Sequence, residues 1–326
     1  MADLCMSDPQ MDAASLLAGT ARLFRSVHAG RSWARQVASQ VHTSDVNGCF
    51  VLKSGDASTP LFMLPGAPGS VLQLAALAQH LDIPGRVYAI KPKGYEEGEV
   101  PYERLEEMAA HNIAIMRSVQ PHGPYFLLGY SVGGLVALEM AASLVAKDDV
   151  PIVFLLDTYP NRRNWPLSCH ARILLGSAFR SLFELFGTTQ SEDGPLRSRW
   201  ESLAWYLSQC GVPGVPAPPL VPEGVSPASR RLHAMSVQAG DNYTPKPYDG
   251  KVVFVQPNEI PNLEPKLPHQ VWRKWLSDLD VDRVSGSHLT MVEADAAATA
   301  AAVAERVRAL MRGNASATRD LAERST

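Results

Sequence analysis

Leu127-Leu128-Gly129-Tyr130-Ser131-Val132-Gly133-Gly134 is the stretch on which the fold turns. A hydrophobic run ends in Gly-x-Ser-x-Gly, and an apolar helical pattern over Val132 to Val145 follows at once. A strand that turns this sharply into a helix forces the central serine into a strained backbone geometry and lifts its Oγ clear of the sheet. Glycines two before and two after leave room for the turn. The helix N-terminus then aims free N–H groups and its dipole at whatever the serine attacks.

The same alternation extends to both sides. Cys49 to Lys53, Pro60 to Leu64, Arg86 to Ile90, Pro124 to Leu128 and Pro151 to Leu156 read as strands. Helical spacing covers Val71 to Leu81, Leu105 to Val119 and Val132 to Val145. Apolar runs alternating with helices predict an α/β fold whose mostly parallel central sheet is flanked by helices. From about 160 to 245 the alternation stops. Helical stretches at Leu174 to Phe186, Trp200 to Cys210 and Ser229 to Val237 surround a linker, Val212 to Pro227, holding six prolines. This is a helical insertion, not part of the sheet, which the resemblance described below implies to be a lid. Strand-helix order resumes at Lys251 to Val255 and Val281 to Val284, with a last helix from Ala294 to Met311. The expected organisation is an N-terminal helical extension over 1–45, a main domain over 46–312 and a flexible polar tail over 313–326.

A serine hydroxyl needs a base. His288, in Ser285-Gly286-Ser287-His288, follows the last predicted strand and precedes the last helix, where the order Ser…Asp…His of α/β-hydrolases places the base. Asp157 ends the strand after the serine's helix and would hold the imidazole in the right tautomer. Its rival is Glu259, after the strand Lys251 to Val255. An oxyanion hole needs two N–H donors. Val132, next to the serine, supplies one. The loop Pro65 to Ser70 supplies the other from Ala67 or Gly66, since prolines have no N–H.

Composition narrows the field. The chain has 326 residues, 19% charged and 46% hydrophobic, with a net charge of −3. That balance argues against nucleic-acid binding through phosphate neutralisation. Four scattered cysteines make neither a disulfide framework nor a metal motif. No apolar run approaches the ~20 residues of a membrane span, and the start lacks a signal peptide's basic region, so a cytoplasmic location is expected.

Leu61 to Ser70, Gly129 to Gly134, Leu155 to Pro160 and Gly286-Ser287-His288 together resemble the thioesterase domains that end polyketide synthase and nonribosomal peptide synthetase assembly lines. The resemblance spans about residues 48 to 311. Its most specific mark is the acid on the strand directly after the nucleophile's helix, which sets chain-releasing domains apart from stand-alone editing thioesterases. It implies that Ser131 takes an acyl, polyketide or peptidyl chain from the phosphopantetheine thioester of a carrier protein. Water or an internal nucleophile then frees an acid or a ring, with no metal or organic cofactor. One departure is plain: the family's loop usually reads His-Pro where this chain has Pro65-Gly66.

The chain is expected either to stand free and act in trans or to be a piece of a longer synthase. A carboxylesterase or lipase acting on oxyesters, and a catalytically weak acyl- or carrier-binding scaffold, are the competing readings. Residues 158 to 245 hold eight arginines against six acids, a +2 bias that an acidic carrier and an ordinary solvated face explain equally well, with Arg162, Arg163, Arg230 and Arg231 as the carrier's candidate contacts.

Overall fold

A computed structural model of the chain describes residues 45–46, 48–67, 69–145, 151–175, 207, 210, 226–260 and 264–324. The predicted helices of the N-terminal extension lie outside them, as do most of those in the lid.

Alternate residues of a strand face opposite sides of a sheet, and here both sides are apolar. Leu61 and Met63 enter one core while Phe62 and Leu64 enter the other. Phe154 and Leu156 likewise oppose Val153 and Leu155. Strands covered on both faces need helices on both faces, and parallel connections supply them. Among the described residues the eight strands are β1 (Asp45–Val46), β2 (Cys49–Lys53), β3 (Asp56–Leu64), β4 (Gly85–Ile90), β5 (Phe126–Tyr130), β6 (Ile152–Leu156), β7 (Val252–Pro257) and β8 (Leu279–Val284). They form one sheet in the order β1-β2-β4-β3-β5-β6-β7-β8. β1–β2 and β2–β4 pair antiparallel, and every other pair is parallel.

Helix α1 (Ala75–His80) packs with the last helix on one face. Helices α2 (Leu105–Val119) and α3 (Val132–Val145) cover the other, and their bounds match the sequence reading. Ahead of α1, Val71–Leu74 winds as a tighter 3-10 turn, so the predicted helix over 71–81 is two short pieces. After the sheet's sixth strand come a helical segment over 167–175 and α4 (Pro227–Asn242). Ser226 caps α4 by accepting from the Ser229 N–H at 3.1 Å. A short α5 (Pro268–Trp272) and α6 (Ala296–Arg324) complete the helices among the described residues. α6 runs well past Met311, where the sequence pattern ends it, because the Ala-rich polar stretch beyond keeps good helix formers.

The two ends of the inserted segment are stitched together. Asn161 Nδ2 donates to Asp241 Oδ1 at 2.8 Å, Arg163 to the Asp241 carbonyl at 2.5 Å, and Asn164 Nδ2 to the Tyr243 carbonyl at 3.3 Å.

Candidate active site

Three strand ends converge. β5, β6 and β8 run parallel, so the residues that follow them emerge on the same edge of the sheet. Ser131 follows β5 at φ 53°, and Asp157 follows β6 at φ 42°. Both sit in the left-handed region that L-residues avoid, which is where a strained elbow holds its serine. The strain is locked in place by hydrogen bonds. Ser131 N–H donates to the Leu156 carbonyl at 3.1 Å, and Asp157 N–H to the Val255 carbonyl at 3.0 Å. Thr158 Oγ1 donates to the Ser131 carbonyl at 3.0 Å. The elbow glycines answer a packing need: a Cβ on Gly129 would strike the Gly133–Gly134 backbone, and one on Gly133 the Leu64 and Pro65 carbonyls.

His288 comes from two strands away, on the loop after β8. Glu259 N–H donates to the Gly286 carbonyl at 2.9 Å, and Ser287 N–H to Thr290 Oγ1 at 2.9 Å. The loop's inner end is pinned to the serine's own neighbour: Tyr130 Oη donates to the His288 carbonyl at 2.8 Å. The Tyr130 ring also stacks on the imidazole, with 4.9 Å between centroids. His288 Nδ1 lies 2.8 Å from Asp157 Oδ2. Burial works against the imidazolium, but the Asp157 hydrogen bond and the charges of Asp157 and Glu264 outweigh it, so the His288 pKa rises. Glu259 is exposed and lends the loop only its backbone, so of the two candidate acids it is Asp157 that meets the histidine.

The oxyanion candidates are Val132 and Ala67. Val132 opens α3, so its N–H has no intrahelical acceptor. Ala67, half-buried in the loop after β3, donates its N–H to no backbone carbonyl among the described residues.

Sequence reasoning missed several neighbours. Tyr130 reads as the variable residue of the motif, yet it anchors the histidine loop. Burial, then the charges of Glu293 and Asp157, push its hydroxyl far above the usual tyrosine range, so it stays a donor. Burial alone raises the Glu293 carboxyl to about 7. Tyr130→Phe keeps the ring and loses the hydrogen bond, and kcat is expected to fall about threefold to tenfold, the worth of one neutral hydrogen bond. Glu264 is the second: burial and Asp157 push its carboxyl up, while Arg162 and His288 oppose this. Arg162 is itself buried, 3.5 Å from Glu264 Oε1 and 4.9 Å from the Trp165 ring centroid. It therefore cannot meet a carrier at the surface, whereas Arg163, Arg230 and Arg231 are exposed.

Residues 59–207 match the thioesterase domain family model, a span that holds Ser131 and Asp157 and stops short of His288. The chain resembles the thioesterase domains of assembly-line synthetases. An atromentin synthetase of Paxillus involutus is 38% identical over 104 residues, which are 32% of this chain and 11% of that protein. A nonribosomal peptide synthetase of Aspergillus terreus is 43% identical over 102 residues, 30% of this chain and 10% of its own. The chain thus spans about a tenth of the length of these relatives. Among solved structures, the thioesterase domain of NocB in covalent complex with a fluorophosphonate nocardicin G analogue superposes with a TM-score of 0.51 at 24% identity, over 77% of this chain and 94% of that one. The four-domain nonribosomal peptide synthetase AB3403 gives 0.55 at 23% identity, over 84% of this chain and 21% of that one. These superpositions agree with the fold read from the thioesterase-like sequence. None of the described helices is long and apolar enough to cross a membrane.

Proposed function

We propose that the chain is a serine thioesterase that releases an acyl, polyketide or peptidyl chain from the phosphopantetheine thioester of a carrier protein. The observation that carries this reading is the 2.8 Å pairing of His288 with Asp157, on a loop anchored to the residue beside Ser131. His288 Nε2 takes the Ser131 hydroxyl proton as Oγ attacks the thioester carbonyl. The Val132 and Ala67 N–H groups hold the oxyanion. The tetrahedral intermediate expels the pantetheine thiol, which leaves with the proton from His288, and the chain remains as an ester on Ser131. Water or a nucleophile within the chain, activated by the same histidine, then attacks the ester and restores the serine. Asp157 steadies the imidazolium that forms at each step.

Attack needs neutral imidazole, so kcat/KM should rise with pH through the His288 pKa. Because that pKa is raised, the acid limb is expected above the ordinary histidine value of about 6.5, as read from a pH–rate profile on a soluble thioester.

Turnover of a medium-chain acyl pantetheine thioester against its matched oxyester tests the substrate class. Faster thioester turnover supports the proposal, and oxyester preference transfers the chain to the esterases. Serine-independent behaviour toward both would leave an acyl- or carrier-binding scaffold.

A further inference from the structure

The chain that follows β7 is tied to both sides of the catalytic cluster. Its start is bound to the histidine side: Asn258 N–H donates to the Val284 carbonyl and Glu259 N–H to the Gly286 carbonyl, each at 2.9 Å. Further on, the Lys266 carbonyl accepts from Arg283 of β8 at 3.2 Å. The Pro265 carbonyl faces the other way. It accepts from Gln256 Nε2 at 3.2 Å and from the hydroxyl of Tyr159, two residues past Asp157, at 3.3 Å. Glu264 precedes that pinned carbonyl, with its side chain 25% exposed. Its Oε1 lies 3.5 Å from Arg162, whose own side chain is only 6% exposed. An acid paired with a buried arginine, on a segment fastened to both the Asp157 and the His288 sides, is a group that the serine chemistry above leaves unused.

Ionisable groups come toward the imidazole from each strand end. Asp157, after β6, is hydrogen-bonded to it, and Tyr130, at the end of β5, stacks on it as a neutral phenol. Glu264, after β7, acts on it through charge. On the histidine's own segment, Glu293 titrates at about 7 and acts on Tyr130, while Asp295 accepts from the Ser285 hydroxyl at 3.5 Å. Glu259 and Arg283 are exposed. The Glu264 charge is conditional. Burial and then the charge of Asp157 work against its carboxylate, whereas Arg162 and a charged His288 work for it. Glu264 thus ionises most readily when the imidazolium forms, or when Asp157 carries no charge, because neighbouring acids share one titration. We propose that Glu264, with Arg162 as its counter-ion, is a reserve acid for His288: a positioning residue that balances part of the imidazolium charge beside Asp157, and a larger part when Asp157 is neutral. This rests on the proposed serine chemistry and adds a residue to it.

Turnover of a medium-chain acyl pantetheine thioester by the full chain, followed across pH, tests it. Glu264→Gln should lower kcat about threefold with little change in KM, and should move the acid limb to lower pH, since one of the charges that raise His288 is gone. Glu264→Asp keeps the charge and should return the limb toward its wild-type place. In an Asp157→Asn background the same Glu264→Gln change should cost about tenfold, a larger factor than in wild type, as two groups that share one task are not additive. Repeating the pair in a Glu293→Gln background keeps the Glu293 titration out of the limb. If Glu264→Gln does not fold, Glu264→Gln combined with Arg162→Met removes both charges of the pair and carries the same two readings. An acid limb that stays in place, or a loss in Asp157→Asn no larger than in wild type, leaves Glu264 a structural part of its loop and overturns the inference while Ser131-dependent turnover stands. Turnover that does not depend on Ser131 overturns the serine chemistry, and this inference with it.

Discussion

Ser131→Ala is expected to lower kcat for a pantetheine acyl thioester by about a millionfold, with the remaining acceleration coming from binding and the oxyanion donors. The loss should be chemical and not structural. The alanine keeps the Cβ that already sits at φ 53°, and the Ser131 N–H bond to Leu156 belongs to the backbone. Thermal melting should therefore stay close to wild type. Ser131→Gly separates strain from chemistry. It should be equally dead, yet more stable by about 1 kcal/mol, because glycine adopts positive φ at no steric cost. Single-turnover assays beside melting curves check both. Near-wild-type turnover in Ser131→Ala would remove the nucleophile from this mechanism.

Asp157→Asn should cost about 10⁴ in kcat. Asparagine tolerates the left-handed backbone that Asp157 adopts at φ 42°, so the fold should survive. The amide can still contact His288 Nδ1 but favours the wrong tautomer and offers no negative charge to the imidazolium. Residual activity should accordingly show an acid limb moved toward lower pH, since the hydrogen bond and charge of Asp157 are among the causes that raise His288. Glu259→Gln is the paired control: that side chain is exposed, and its rate should remain within about twofold of wild type, as surface changes usually do little. A larger loss in Glu259→Gln than in Asp157→Asn would exchange their roles.

What could be read in the sequence was whatever local pattern determines. α2 and α3 carry long periodic patterns, and their limits match those observed. Strands buried on both faces read as continuous apolar runs, which is why β5, β6 and β7 were legible to within two residues. Two-residue β1 carries no pattern of its own and exists through its pairing with β2. The antiparallel β2–β4 edge and the strand order likewise come from pairings between distant segments. The site divides in the same way. Ser131, Asp157 and His288 each stand at the end of a legible strand. Tyr130 and Glu264 have no such marker, because contacts between elements far apart in the chain give them their surroundings.

The stitches at Asn161, Arg163 and Asn164 have a bearing on how this architecture tolerates change. They close the mouth of the 160–245 segment with bonds to Asp241 and Tyr243, before the chain reaches β7. A loop whose ends are already fastened can grow or shrink at small entropic cost, on the order of 0.6 kcal/mol for each doubling in length. The inserted segment is thus a cassette on a clasp. Its contents can be exchanged while Asp157, a few residues upstream of the clasp, stays where the sheet holds it.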